Sequence, residues 1–586
     1  MPDQQDFLNS LRHSLAHLLA AAVMELWPKT KRAIGPATEN GFYFDFEFAQ
    51  PIGDADLPKI EAKMREILPT WGVFTKHLLT LTDAKKEFRG NPYKLELIRE
   101  FSKNGPPFRR GSPAGGEKLS FYKSGDYWDL CRGGHVSDAK EISPEAFRLT
   151  RIAGAYWRGD EKNIQLTRIY GVAFPTKHEL DKYFKMREEA ERRDHRKLGK
   201  ELKLFHISDE VGPGLPLFYP KGAMLRRTVE NYIANLQESR GYLPIWIPHI
   251  TKGELYKISG HLDKYDAMYP PMKLKGEADY YLKPMNCPHF MVLYKSEPHS
   301  YHDLPVRYTA TTTNYRYEKS GELSGLTRVR SLTQDDCHVF AAPSQIADEI
   351  NLMLDMIAEV YDKFGFKNFW VRISIRGPNK KKDYIGDPAV WDSAEETLQK
   401  LIKDRGWRQE TGVGEAAFYG PKLDFIFTDV IGREWQLSTV QLDMNLPQRF
   451  TLEYIDADGQ KQTPVVIHRA ILGSTERFLG IITEHYAGAF PFWLAPVQIA
   501  ILPINNKHRD YIETIAKTLQ TKHVRFEIDE RNESVGKKIR DAELQKIPYL
   551  LVIGDREAAT KTVAVRERGK GDLGPKSLDA FMGQII

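Results

Sequence analysis

Cysteine is scarce in this chain. Three thiols in 586 residues, with no CxxC pair, exclude a disulfide framework and point to a reducing compartment, the cytoplasm. No apolar run approaches the roughly 18 residues of a membrane span, and the opening MPDQQDFLNS lacks a signal-peptide layout. Neither GxxxxGK[ST] nor a strand-linked GxGxxG occurs, so any ATP is bound without a P-loop. HExxH is also missing, because Ser14 stands at the glutamate position of the pair His13 and His17, which excludes a zinc-protease reading. A net charge of +5 permits nucleic acid as a partner without requiring it. Repeats and low-complexity tracts are absent. What remains is an ordinary globular composition, 41% hydrophobic and 28% charged, in a length that implies roughly three to five domains.

The densest chemistry lies at 313–340, TNYRYEKSGELSGLTRVRSLTQDDCHVF. Two Thr-, Tyr-, Val- and Arg-rich arms around SGELSG predict a long β-hairpin. Arg316 and Glu318 are two apart and share a strand face, as do Arg328 and Arg330 on the return arm. Behind them, Gln334, Asp335, Asp336, Cys337 and His338 supply an amide, two carboxylates, a thiol and an imidazole. Arginine forks suit phosphate oxygens, and carboxylates suit an ammonium group or a metal shell. The stretch reads as a site for a nucleotide beside an amino acid.

Earlier in the chain, a helix is expected over 6–26, with leucines on one stripe and His13 and His17 on the opposite side, facing a cleft. Far downstream, Asp129, Cys131 and His135 follow an aromatic strand, FYKSGDYWDL, with two glycines inside the CxxxH spacing. HxxxH and CxxxH in one domain form four N and S donors, a set that suits zinc. Residues 176–205 predict one long charged connector helix. A helix over 222–240 then feeds GYLPIWIP, a strand ending at Pro248, and KPMNCP delivers Cys287. Helical periodicity dominates 351–405, and 411–450 reads as consecutive antiparallel strands. IHRAILGSTERF passes from strand to helix through Gly473. After Pro496, alternating strands and helices predict a small α/β domain with a largely parallel sheet.

YRYE…TRVR resembles motif 2 of the class II aminoacyl-tRNA synthetases, and QDDCH, KPMNCP and IHRAILGSTERF resemble the threonyl family among them. The resemblance covers essentially the whole chain and implies an α+β multidomain protein. Residues 1–175 would be an editing domain, 176–205 a linker helix, 206–495 a class II antiparallel-sheet catalytic domain, and 496–586 an anticodon-binding domain. It implies ATP-dependent attachment of L-threonine to tRNA(Thr) through threonyl-adenylate, with hydrolysis of mischarged seryl-tRNA(Thr). Bacterial relatives often carry a further N-terminal TGS domain, which this sequence is expected to lack.

The resemblance also assigns roles. Arg316, Glu318, Arg328 and Arg477 would handle ATP and its Mg2+. Cys287, His338 and His468 would hold one Zn2+ per subunit. Met285, Gln334, Asp336, Tyr419, Lys422 and Gln441 would line the substrate pocket. His13, His17, Asp129, Cys131 and His135 would form the editing site, with metal there left open. Asn532, Glu557 and Arg566 would meet the anticodon, and the 222–250 region would build a homodimer. One departure stands out: Leu332 occupies a position where relatives carry a phenylalanine that packs on adenine. Zinc answers a physical need. An apolar pocket separates threonine from valine only about 100-fold, whereas a metal can take the β-hydroxyl and amine together. Serine shares that hydroxyl, so editing has to follow. The alternatives are another class II synthetase, prolyl in type, which has no use for the Cys287, His338 and His468 set, and a non-catalytic RNA-binding regulator, which would have lost Arg316, Glu318 or Arg477.

Overall fold

The computed structural model describes residues 2–103, 118–378 and 384–585. The chain divides into two compact units, Met1–Glu188 and Glu189–Ile586.

In the first unit the helix Pro2–Leu26 lies on a sheet whose long strands run in the order Gly41–Glu47, Gln165–Ala173, Phe147–Tyr156. The expected leucine stripe is too narrow a description. From Leu11 to Val23 every residue is buried except His13, which is half-buried, because the helix Leu57–Ile67 also packs with it into one core. A second, three-stranded sheet joins Thr75–Thr80, Lys118–Ser124 and Tyr127–Leu130. FYKSGDYWDL is therefore a hairpin and not one strand. It turns at Gly125, whose φ of +57° and contact with the Trp71 ring favour glycine.

The expected single helix over 176–205 is two helices, Lys177–Arg193 and His195–Glu201. Asp194 breaks it by leaving the helical region, with ψ at 119°, and accepting a hydrogen bond from the Arg196 N–H at 2.8 Å, the work of an N-cap. The division between the compact units falls inside the first of these helices.

The second unit is built on an eight-stranded sheet in the order Leu243–Pro244, Val306–Tyr315, Ser331–Ala341, Val465–Ala470, Glu434–Asp443, Lys422–Thr428, Phe369–Ile375, Gln409–Val413. Its central pairings are antiparallel, and the outermost pair on each side is parallel. Three expectations change here. The hairpin arms stop at Tyr315 and resume at Ser331, so Arg316, Glu318, Arg328 and Arg330 lie on the connecting loop and not on strands. GYLPIWIP supplies only a two-residue edge strand, Leu243–Pro244. Between 351 and 405 the strand Phe369–Ile375 separates the helices Ile346–Phe364 and Pro388–Asp404, while 379–383 lie outside the described residues. The helix Pro220–Ser239 matches its expected span closely.

The C-terminal sheet runs Phe526–Ile528, Ile499–Pro503, Tyr549–Ile553, Thr562–Glu567, Gly571–Ser577. Its first two pairings are parallel and its last two antiparallel, so the sheet is mixed where a largely parallel one was expected.

Candidate active sites

Strand register decides what the central sheet presents. Tyr308 pairs with His338, His338 with His468, His468 with Gln441, and Gln441 with Lys422, forming one row across five strands. Side chains alternate along each strand, so Gln334, Asp336 and His338 share one face and Asp335 and Cys337 the other. Cys287 reaches the row from the first turn of the helix Cys287–Lys295. One donor atom each from Cys287, His338 and His468 lies within 4.8 Å of the others.

The hydrogen bonding of this trio is incomplete in an informative way. Asp443 Oδ2 takes His468 Nε2 at 2.9 Å, which leaves Nδ1 buried without a partner. His338 is 0% exposed, and neither of its ring nitrogens has a hydrogen-bond partner. Burial pushes the Cys287 thiol up and holds His338 well below the ordinary imidazole range. Orphaned nitrogens at such depth cost stability unless something satisfies them. A thiol, two imidazoles and a carboxylate orienting one ring fit a zinc ion.

The threonine-pocket candidates surround this trio. Asn286 Nδ2 donates to Asp336 Oδ2 at 2.9 Å, and Asn314 Nδ2 donates to Gln334 Oε1 at 2.6 Å. The Tyr419 hydroxyl donates to Gln441, and its ring lies 5.2 Å from that of His468. Lys422 is already paired with Asp424, and Met285 is half-buried two residues before Cys287. Cys337 is excluded from the face and fully buried, its thiol pushed up to about 12 by burial, in keeping with an inert thiol. Asp335 on the same hidden face accepts the backbone N–H groups of Ile471 and Leu472, which ties this strand to the turn before Arg477.

Next to this face is a cavity of about 620 Å³ lined by Arg316, Glu318, Arg328, Leu332, Trp435 and Arg477, among others. Glu318 and Glu322 hold Arg328, whereas the Nε atoms of Arg316 and Arg477 are buried without partners. Desolvation and then Arg328 lower the Arg477 guanidinium from its ordinary value, so this corner calls for an anion. Ser474 caps the helix Thr475–His485 by accepting the Arg477 N–H, after Gly473 turns the chain at φ +74°. Arg330 points elsewhere, its Nε donating to the Glu318 carbonyl.

The first unit assembles the other constellation. Donor atoms of His13, His17, Cys131 and His135 all lie within 4.8 Å of one another. A carbonyl only accepts, so His13 Nδ1, 3.2 Å from the Gly134 oxygen, carries the proton and Nε2 keeps its lone pair. That nitrogen lies 3.5 Å from Cys131 Sγ, and His135 Nε2 lies 3.2 Å from the same sulfur. Burial depresses all three histidines, His135 to about 3, and pushes Cys131 up to about 11. Asp129 is engaged by Lys94 Nζ at 2.8 Å, the Tyr127 hydroxyl at 3.0 Å and Arg32 Nε at 3.5 Å, so it enters the site already paired. A cavity of about 300 Å³ lined by His13, His17, Lys94, Asp129 and Cys131 opens there.

At the C-terminal end, Asn532 is exposed on the loop after Phe526–Ile528, and Glu557 caps its own helix through the Gly554 N–H. Arg566 was expected at a strand end or loop. It is the last residue but one of the strand Thr562–Glu567, at the strand's end, and is paired with Glu543 and Asp572.

Several polar residues of these sites escaped the sequence reading. Asn286 and Asp443 were within reach, standing beside or between the quoted motifs. Lys94 and Trp435 carried no local signal. His261 also escaped it: fully buried, with Nδ1 on Ser259 and Nε2 unpartnered.

Residues 272–486 match the tRNA synthetase class II core domain (G, H, P, S and T), residues 498–586 the Anticodon binding domain, and residues 119–170 the Threonyl and Alanyl tRNA synthetase second additional domain. Over 571 residues the chain is 49% identical to a threonine--tRNA ligase of Rubrobacter xylanophilus, covering 97% of this chain and 87% of that one. Among solved structures it is similar to the RNA binding domain of threonyl-tRNA synthetase from Cryptosporidium parvum Iowa II. That match has a TM-score of 0.64 and 36% identity over 67% of this chain and 97% of the other. A prolyl-tRNA synthetase of Cryptosporidium parvum is 16% identical with a TM-score of 0.51, over 67% of this chain and 73% of the other, a likeness of fold alone.

Proposed function

This chain belongs to the threonine--tRNA ligases of the class II synthetases, and from that premise we propose how its residues divide the work. It is an ATP-dependent ligase that joins L-threonine to tRNA, and its second additional domain goes with editing.

In activation, the threonine carboxylate attacks the α-phosphate of ATP and pyrophosphate leaves. Two anions must meet, so alignment and neutralisation dominate the barrier. Arg316 takes the α-phosphate and the carboxylate; Arg328 and Arg477 take the outer phosphates and one face of adenine; Glu318 positions the base. ATP enters as its Mg2+ complex. The unpartnered Nε atoms of Arg316 and Arg477 support this assignment.

Cys287, His338 and His468 would hold a zinc ion, whose chemistry there is to take the amine and β-hydroxyl of threonine, a pair that valine does not offer. Asp336 accepts from the hydroxyl, Gln334 supports it, and Met285, Tyr419, Lys422 and Gln441 close the pocket. The single observation that carries this reading is the row His338, His468, Gln441, Lys422 with its orphaned buried nitrogens. Pyrophosphate exchange with each of the twenty amino acids tests it: threonine alone should support rapid exchange, and proline-dependent exchange would favour the prolyl-type reading.

In editing, the His13 lone pair activates water against the seryl ester, with His17, Cys131 and His135 shaping the pocket and Asp129, held by Lys94, receiving the amine or terminal adenosine. Asn532, Glu557 and Arg566 read the anticodon. The domain limits at 175, 205 and 495 follow the same reading. A homodimer through 222–250 is supported by Trp246, 80% exposed, beside exposed Leu243 and Ile250. No helix among the described residues is long and apolar enough to cross a membrane, and we place the enzyme in the cytoplasm.

A further inference from the structure

His195 opens the helix that follows the Asp194 break, and it is 3% exposed. Its ring bridges two elements of the catalytic unit. Nε2 lies 3.0 Å from the Leu326 backbone N–H, and Nδ1 lies 2.6 Å from Glu484 Oε1. A backbone N–H can only donate, so Nε2 is the acceptor, and Nδ1 carries the proton given to Glu484. The His195 backbone N–H donates to the same carboxylate oxygen at 3.1 Å. With both ring nitrogens used, the cluster of Asp194, His195 and Glu484 is a joint and not a metal site, although its donor atoms lie within 4.8 Å of one another.

The two elements it joins both carry nucleotide-pocket residues. Glu484 ends the helix Thr475–His485 that bears Arg477, and Leu326 sits in the loop 316–330, immediately before Thr327 and Arg328, which line the 620 Å³ cavity. Gly325 shows how closely the ring approaches: its φ is +48°, and a Cβ there would lie 2.2 Å from His195 Nε2. Gly480, on the Arg477 helix, meets the other edge, where a Cβ would lie 3.5 Å from His195 Cδ2. An imidazole protonated only at Nδ1 therefore sets the spacing between the loop and the helix.

We propose that His195 is a positioning residue for ATP, clamping the Arg328 loop against the Arg477 helix through the Leu326 N–H. It touches no substrate itself. The inference rests on the reading of that cavity as the ATP pocket.

Pyrophosphate exchange, with ATP and threonine varied separately, tests it. His195→Asn keeps a donor toward Glu484 but has no acceptor at the Nε2 position. It should raise KM for ATP about tenfold, the equivalent of one buried hydrogen bond, with KM for threonine unchanged. His195→Gln, whose Oε1 reaches the Nε2 position, should restore most of the ATP affinity. Gly325→Ala, whose Cβ would press on the His195 ring, should reproduce the ATP defect from the other side. An Asn variant with the parent's KM for ATP would overturn the proposal. Equal losses toward ATP and threonine would also overturn it, since they would show a core residue and nothing more. If the parent protein shows no threonine-dependent exchange at all, the ATP reading itself fails, a result distinct from normal exchange in the variants.

Discussion

His338 and His468 are register partners on adjacent antiparallel strands, with ring centroids 4.4 Å apart and planes at 69°. That pairing, and not sequence spacing, is what brings residues of separate motifs together in the proposed metal centre. Asp443 completes it by taking one nitrogen of His468 and leaving the other for a ligand. The purified protein should therefore contain one zinc per chain. Cys287→Ala should lose the metal and drop threonine-dependent exchange by about 100-fold or more, because one of the three proposed ligands is gone. Asp443→Asn should weaken zinc affinity about 10- to 100-fold while leaving the ligands in place. Metal analysis and exchange on the same preparations decide the matter, and full threonine activation by zinc-free protein would sink it.

The cavity proposed for ATP allows a gain of function. Leu332 lines it at the position where the family resemblance implies a phenylalanine, and Trp435 provides the aromatic surface nearby, stacked under the Arg433 and Arg477 guanidinium groups at 5.1 and 5.8 Å. Leu332→Phe should lower KM for ATP by about two- to tenfold, the worth of one aromatic stacking contact, with KM for threonine unmoved. A rise in KM for ATP would mean that the cavity has no room for the ring.

How much of this was legible in the chain depended on whether a signal was local. The helix Pro220–Ser239, the strand-to-helix passage through Gly473 and the HxxxH and CxxxH pairs announce themselves within a few residues. Register does not: nothing in the spacing of Cys287, His338 and His468 says that they meet, and only the family resemblance grouped them. Arg316 and Arg328 looked like strand residues because alternation is blind to where a turn begins. Here the loop spans everything between Tyr315 and Ser331. FWVRISI hid as a strand between two helices. The break at Asp194 was readable, since Asp is a common N-cap, but the alternating charges around it suggested an unbroken helix.

The histidines of the first unit should make the fold acid-sensitive. Burial takes His135 from an ordinary 6.5 to about 3, and lowers His13 and His17 as well. Between those values the unfolded chain binds protons that the folded chain refuses. Stability is therefore present above the ordinary imidazole pKa and is lost as pH falls toward the depressed one. The urea midpoint of the full chain should drop between pH 7 and pH 5, and His135→Gln should flatten that drop by removing one of the refused protons. A His135→Gln protein with the parent's pH dependence would assign the effect to other groups.

Synthesis and proofreading should separate cleanly, because their residues belong to different compact units. The proposed zinc pocket would recognise a β-hydroxyl, which serine also has, so seryl-tRNA would be an unavoidable product and its removal would fall to the first unit. There the tautomer of His13 is fixed by the Gly134 carbonyl, which leaves Nε2 able to take a proton from water at neutral pH. His17 packs edge-on to both His13 and His135, with centroids 5.1 and 4.4 Å away, so losing it disturbs the other two. The His13→Ala, His17→Ala double variant should attach threonine at the parent's rate and hydrolyse preformed seryl-tRNA about 100-fold or more slowly, the usual share of a general base. Seryl-tRNA should then accumulate in the presence of serine, ATP and tRNA. Hydrolysis at the parent's rate would remove these histidines from the chemistry. Hydrolysis lost on chelation in the parent protein, with its histidines intact, would instead make the four-donor cluster a metal centre, and Cys131→Ala would then abolish metal binding and editing together.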